Sequence, residues 1–111
     1  MSNVISLSSF SLGKELETSK KDAQTKLENL ISENFIKNDF INEIQNDVKY
    51  LKSTIFVSNT KKWFSKSITQ ELNKYDNYKF IETLKVYLKQ TFNVDADIET
   101  DGENYFLIIR F

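Results

Sequence analysis

The chain contains no cysteine, no histidine and no proline, and only two glycines among its 111 residues. Without cysteine there is no disulfide and no thiolate nucleophile, so the fold must hold by packing alone. The missing histidine removes the side chain that most often serves as a base near neutral pH. Together the two absences take away the usual zinc ligands and every Cys-His or Ser-His triad. Two glycines are too few for a phosphate-cradling loop, and neither G-x-G-x-x-G nor a P-loop occurs. With no proline and no Gly-rich linker there is no hinge to divide the chain. Nothing in this inventory implies a cofactor or a metal.

Long apolar runs are also missing. The longest uncharged stretches, residues 1–13 and 53–60, are too short to span a bilayer. The first residues lack the basic segment and apolar run of a signal peptide, so the expected location is cytoplasmic. The abundance of Lys, Asn and Ile fits an AT-rich coding sequence, as in a low-GC bacterium, phage or plasmid.

What is present is material for a core. Nine Phe, five Tyr and one Trp sit in a chain that is 40% hydrophobic and 28% charged, a globular balance. Scaling predicts a folded surface near 6,400 Å² against roughly 19,000 Å² for the extended chain, enough burial for one α+β domain over residues 1–111. The net charge of −1 conceals an uneven distribution. Residues 53–92 carry seven lysines against three acids, and residues 93–111 carry one arginine against five acids.

Periodicity places the elements. Residues 1–12, with Val4, Ile5, Leu7, Phe10 and Leu12 among five serines, read as a flexible arm or a short edge strand. Ser11 or Ser19 caps a first helix in which Leu16, Ala23, Leu27, Leu30 and Ile31 recur at helical spacing, ending near Asn34. A second helix is expected from after Asn38 to about Lys52, with Ile41, Ile44, Val48 and Leu51 on one face. Residues 54–58 are β-branched and aromatic, and read as a short strand or a buried helical turn. A third helix starts at Asn59 or Thr60 and aligns Phe64, Ile68, Leu72 and Tyr75. Asp76 and Asn77 break it and cap a fourth, whose wide apolar face of Phe80, Ile81, Leu84, Tyr87 and Leu88 ends near Phe92.

From there the period changes to two. Val94, Ala96, Ile98 and Thr100 alternate with Asp95, Asp97 and Glu99, and Asp101-Gly102 precedes the run from Tyr105 to Phe111. Asp-Gly between alternating segments signals a β-hairpin, because both residues tolerate left-handed backbone. A two-residue turn would pair Ile98 with Tyr105. A four-residue loop, residues 101–104, would slide the pairs by two and leave the same faces together. Phe106 and Ile108 need cover on the second face, and a two-stranded sheet is marginal. A third strand is therefore expected beside the last one, from residues 54–58 or from the segment near Val4 to Leu7. The predicted fold is α+β, three to four amphipathic helices on a small, mainly antiparallel sheet that includes the C-terminal hairpin turning at Asp101-Gly102.

Two polar features qualify as sites. The acidic run Asp95, Asp97, Glu99, Asp101 and Glu103 offers a surface to a protein partner with a basic face. Its first residues have part of a calcium-loop spacing, but the twelfth position counted from Asp97 is Ile108, where a bidentate Glu is required. Acids two apart on one strand point the same way and form no cleft for paired-carboxylate chemistry. The basic run Lys61, Lys62, Trp63 and Lys66 would, on a helix, present lysines to phosphates beside a tryptophan able to stack on a base. These features predict a non-enzymatic protein-binding factor of inhibitor, immunity or adaptor type acting through the acidic hairpin. A nucleic-acid or phosphate-binding protein using residues 61–66 is the first alternative. A structural subunit of a homomeric assembly, with the Ser-rich N-terminus as an exchanged arm, is the second.

Overall fold

A computed structural model describes the backbone from Ser2 to Phe111 and the side chains from Leu12 onward. Helix α1 spans Ser2–Asn34 and α2 spans Lys37–Gln45. Strand β1, Lys52–Phe56, leads into two single-turn helices, α3 at Val57–Thr60 and α4 at Thr69–Leu72. Helix α5, Asn77–Phe92, precedes the hairpin strands β2, Ala96–Thr100, and β3, Tyr105–Arg110. The class is α+β, with five helices against a three-stranded antiparallel sheet.

Helix α5 forms where its sequence signals say it should. The Asp76 carboxylate accepts the Lys79 backbone N–H at 3.2 Å, filling one of the donors that a helix start leaves unpaired. At the other end Asn93 adopts left-handed backbone, φ 55°, and stops the helix. Its apolar face is wide because two layers meet it. Leu27 and Ile31 of α1, both fully buried, share one core with Phe80, Ile81, Leu84 and Leu88, and Ala96, Leu107 and Ile109 of the sheet complete it.

The strand order is β1-β3-β2, so the last strand is central, as the need to cover Phe106 and Ile108 requires. Of the two hairpin registers, the four-residue loop is the one formed: Thr100 pairs with Tyr105, Ile98 with Leu107 and Ala96 with Ile109. The loop is closed by its own side chains. Asp101 Oδ1 accepts the backbone N–H groups of Glu103 (2.9 Å) and Asn104 (2.7 Å). Thr100 Oγ1 donates to the Asn104 carbonyl at 2.9 Å and accepts from the Gly102 N–H at 3.1 Å. Gly102 has φ +98°, a conformation that L side chains resist.

Three expectations are corrected. Residues 2–12 of the segment read as an arm or edge strand belong to α1, whose helix continues upstream of Gly13 with no proline to stop it, and the third strand is β1. The second helix ends at Gln45, well short of Lys52. Asp47 instead accepts the Ser53 hydroxyl at 2.6 Å, tying the following turn to β1. Phe40 is the buried residue of α2, while Ile41, Val48 and Leu51 are exposed. The third helix is broken into short pieces. Phe64 is extended (φ −120°, ψ 156°) and bridges to Phe35, and the Ile36 N–H donates to the Trp63 carbonyl at 2.6 Å. That nonlocal pairing outweighs the weak helix propensity of the Ser- and Thr-rich stretch after it.

The molecule is elongated. Its Cα radius of gyration is 17.8 Å, against roughly 13 Å for a compact chain of this length. Helix α1, about 50 Å long at 1.5 Å per residue, outruns the layer it packs on.

Candidate functional site

The alternation along β3 creates two faces. One row, Tyr105, Leu107 and Ile109, belongs to the core, and the opposite row, Phe106, Ile108 and Arg110, looks away from it. Register sets the neighbours of the outer row. Thr54, Ile108 and Asp97 stand abreast, as do Phe56, Phe106 and Glu99, and Lys52 stands beside Arg110. Lys52, Thr54, Phe56, Asp97, Glu99 and Arg110 are all exposed, so among the described residues no helix covers this face. Ile108 is only 2% exposed, yet it lies outside the core cluster, with Thr54 and Asp97 abreast of it and Phe106 and Arg110 along its own row. The rings of Phe56 and Phe106 pack at 4.7 Å between centroids, yet Phe56 remains 46% exposed.

The face is divided chemically across its width. Its β1 side is apolar and basic. At the start of β1, Tyr50 and Leu51 add exposed apolar surface, Leu51 at 74%. Leu51 holds left-handed backbone, φ 69°, a strained conformation for a bulky residue. Its carbonyl accepts the Phe111 N–H at 3.1 Å. The β2 side is acidic.

The five acids of the hairpin do not act alike. Asp95 accepts Lys89 Nζ at 2.6 Å and Asp97 accepts Arg110 Nε at 2.8 Å. That hydrogen bond from Arg110 holds the Asp97 carboxyl below the ordinary aspartate range and raises the guanidinium in turn. Asp101 is also held low, by the backbone N–H groups of Asn104 and Glu103, so its charge serves the loop. Glu99 and Glu103 form no ion pair among the described residues. They are the acids with charge left to offer. Among the described residues no three acids gather as a metal-binding group.

The basic run is not a helix face. Trp63 is 1% exposed, packed edge-on to Phe40 at 4.9 Å and to Phe35 at 6.4 Å, and offers no ring to a base. Its indole N–H has no acceptor among the described residues. Lys61 donates to Asn73 Oδ1 at 2.6 Å and lies 5.4 Å from the Phe80 ring centroid, with its pKa lowered by burial. Lys62 and Lys66 are exposed, on two separate 3₁₀ turns. The structure thus separates the four residues that the sequence placed together.

Phe56, Phe106, Tyr50 and Leu51 were not among the sequence-derived site residues. Phe106 carried a usable signal, since an apolar residue on the acidic side of a hairpin needs explanation. Leu51 carried none, because its left-handed backbone depends on the turn and strand around it. A polar groove of about 460 Å³ between α1 and α5, lined by Gln24, Glu28, Thr83 and Gln90 among others, points to no particular ligand chemistry. The sequence matches no protein-family model, and comparisons with curated proteins and with solved structures return no significant match.

Proposed function

We propose that this chain is a non-enzymatic protein-binding factor of inhibitor, immunity or adaptor type, and that its interface is the uncovered face of the sheet. The observation that carries this reading is the half-exposed Phe56 packed on Phe106 on a face that, among the described residues, no helix covers. Aromatic residues at the centre of a patch are the usual anchors of protein interfaces, and exposed apolar surface of this kind marks sites of association. Glu99, abreast of Phe106, and Glu103 in the adjacent loop supply an acidic rim. The complementary partner is therefore a protein that brings an apolar contact flanked by Lys or Arg. Asp95 and Asp97 contribute less to attraction, because Lys89 and Arg110 already neutralise them.

The test compares tagged wild type with Phe56→Ser and with Glu99→Lys/Glu103→Lys in affinity capture from the native source. Circular dichroism serves as the check on folding. These positions avoid the internal ion pairs, so the fold is expected to persist. A partner retained by wild type and lost from both variants supports the reading. A partner held equally by all three places the interface elsewhere. A low-salt anisotropy titration with mixed oligonucleotides, lost on Lys62→Glu/Lys66→Glu, would redirect the assignment to phosphate binding.

A further inference from the structure

Residues 12–23 of α1 are all exposed, with Lys20 and Ala23 at the domain end bordering a hollow shared with Lys74, Tyr75, Asp76 and Lys79. An isolated helix of this length is marginal in water, and this one displays Leu12 at 54% and Leu16 at 59% exposure. Leu12, Leu16 and Ser19 fall on one stripe at four-three spacing, which continues to Ala23. In the sequence the same spacing runs back through Ser9 to Ile5.

The charges beside the stripe are sorted. Glu15 flanks it on one side and Lys20 on the other, at the two positions that border the seam of a two-stranded coiled coil. Neither forms an ion pair among the described residues. In a parallel, in-register pair, a flanking residue faces the opposite flank five positions further along the other helix. Glu15 then meets Lys20 of the partner subunit, and symmetry repeats the contact. In an antiparallel pair like flanks meet, and Glu15 would oppose either itself or Asp22 of the partner subunit. The pattern thus favours a second copy of this chain, in parallel.

We infer that α1 is a self-association helix, in which residues 12–19 of two copies form a short parallel coiled coil with Leu12 and Leu16 in its seam. This association uses no residue of the sheet face and is independent of the protein-binding reading. The serine at the third seam position and the shortness of the contact make the dimer weak, so it forms in the micromolar range and above.

Sedimentation equilibrium of the full chain, from about 1 μM to 1 mM, reads the association directly. Wild type is expected to dimerise, and Leu16→Glu to remain monomeric with unchanged circular dichroism. Glu15→Lys and Lys20→Glu each place like charges at both symmetry-related contacts and should weaken the dimer about tenfold. An equimolar mixture of the two restores opposite charges and should recover the wild-type affinity. Because the chain has no cysteine, Ser19→Cys with diamide reports orientation. A covalent dimer of that variant supports the parallel register. Cross-linking only when Ser19→Cys is mixed with Ser9→Cys or with Leu16→Cys, the seam positions it faces in the two antiparallel registers, would overturn it. A wild type that stays monomeric throughout, or charge variants that associate as wild type does, would overturn the inference as a whole.

Discussion

Leu107 and Ile108 are neighbours on β3, almost equally inaccessible to solvent, and differ in what makes them so. Leu107 lies in the cluster that joins the sheet to α5 and α1, whereas Ile108 lies outside that cluster, and its sheet neighbours are Phe106, Arg110, Thr54 and Asp97 on a face that no described helix covers. Low accessibility is thus of two kinds: enclosure between layers, and shelter among side chains of the same sheet. Only the first leaves a closed cavity when the side chain is shortened. Leu107→Ala is therefore expected to cost about 3–4 kcal/mol, the transfer term plus a cavity that the surroundings cannot collapse into. Urea unfolding of the variant against wild type measures it.

Ile108→Ala sharpens the comparison from the other side. Shortening this residue opens a dimple that water or the flexible Arg110 stem can fill, so the loss should approach the transfer term alone, about 2–2.5 kcal/mol. Equal losses at the two positions would mean that a layer covers the outer face in solution, and a bound copy or partner would be the first place to look. Phe56→Ser, at a half-exposed edge position, should change stability by less than Ile108→Ala while removing the proposed partner contact. That separation of binding from stability is what distinguishes an interface residue from a core residue.

The two faces were legible in the sequence, and the reason is geometric. Alternation on either side of Asp101-Gly102 assigns residues to faces whichever hairpin register forms, because the two candidates differ by two residues and a shift of two conserves the face. The register itself was not legible. It is decided by Thr100, Asp101 and Asn104 closing a four-residue loop among themselves. Helix α5 was legible because its start, its apolar face and its end are all local signals. The stretch from Asn59 to Tyr75 was misread as one helix because its breaks are imposed from far away, by Phe35 and Ile36 meeting Phe64 and Trp63. The same burial removed Trp63 from the candidate site. The acidic run was visible as composition. Which acids remain available became clear only once Arg110 and Lys89 were placed beside Asp97 and Asp95.

The loop that sets the register can be weakened without touching either face. At Gly102 there is open space around the missing Cβ, so a substitution there acts only through the backbone. Gly102→Ala forces an alanine to φ +98° or moves the loop, and should cost about 1 kcal/mol. Gly102→Asn should cost less, since Asn tolerates positive φ better. Both are read by the same urea titration. Losses that are equal and near zero would mean that the loop is free to take another conformation, and that register rests on the side-chain rows alone.

The smallest effect, and the one that reports on the loop alone, is the pH dependence of Asp101. Its carboxylate accepts two backbone N–H groups and is held below the ordinary aspartate value, so the unfolded chain binds its proton more readily than the folded one. A depressed carboxylate stabilises the fold fully above the ordinary value, about 3.9, and loses that contribution as pH falls through the folded value. Asp97, held low by Arg110, has the same sign. Asp101→Asn keeps an oxygen acceptor for the loop but removes the charge. The variant should melt slightly below wild type at pH 7, and the gap should narrow as the pH drops below about 4, where wild type gives up what the variant never had. Asp97→Asn should narrow in the same window. A gap for Asp101→Asn that stays constant from pH 7 to pH 2.5 would show that Asp101 closes the loop by shape and not by charge.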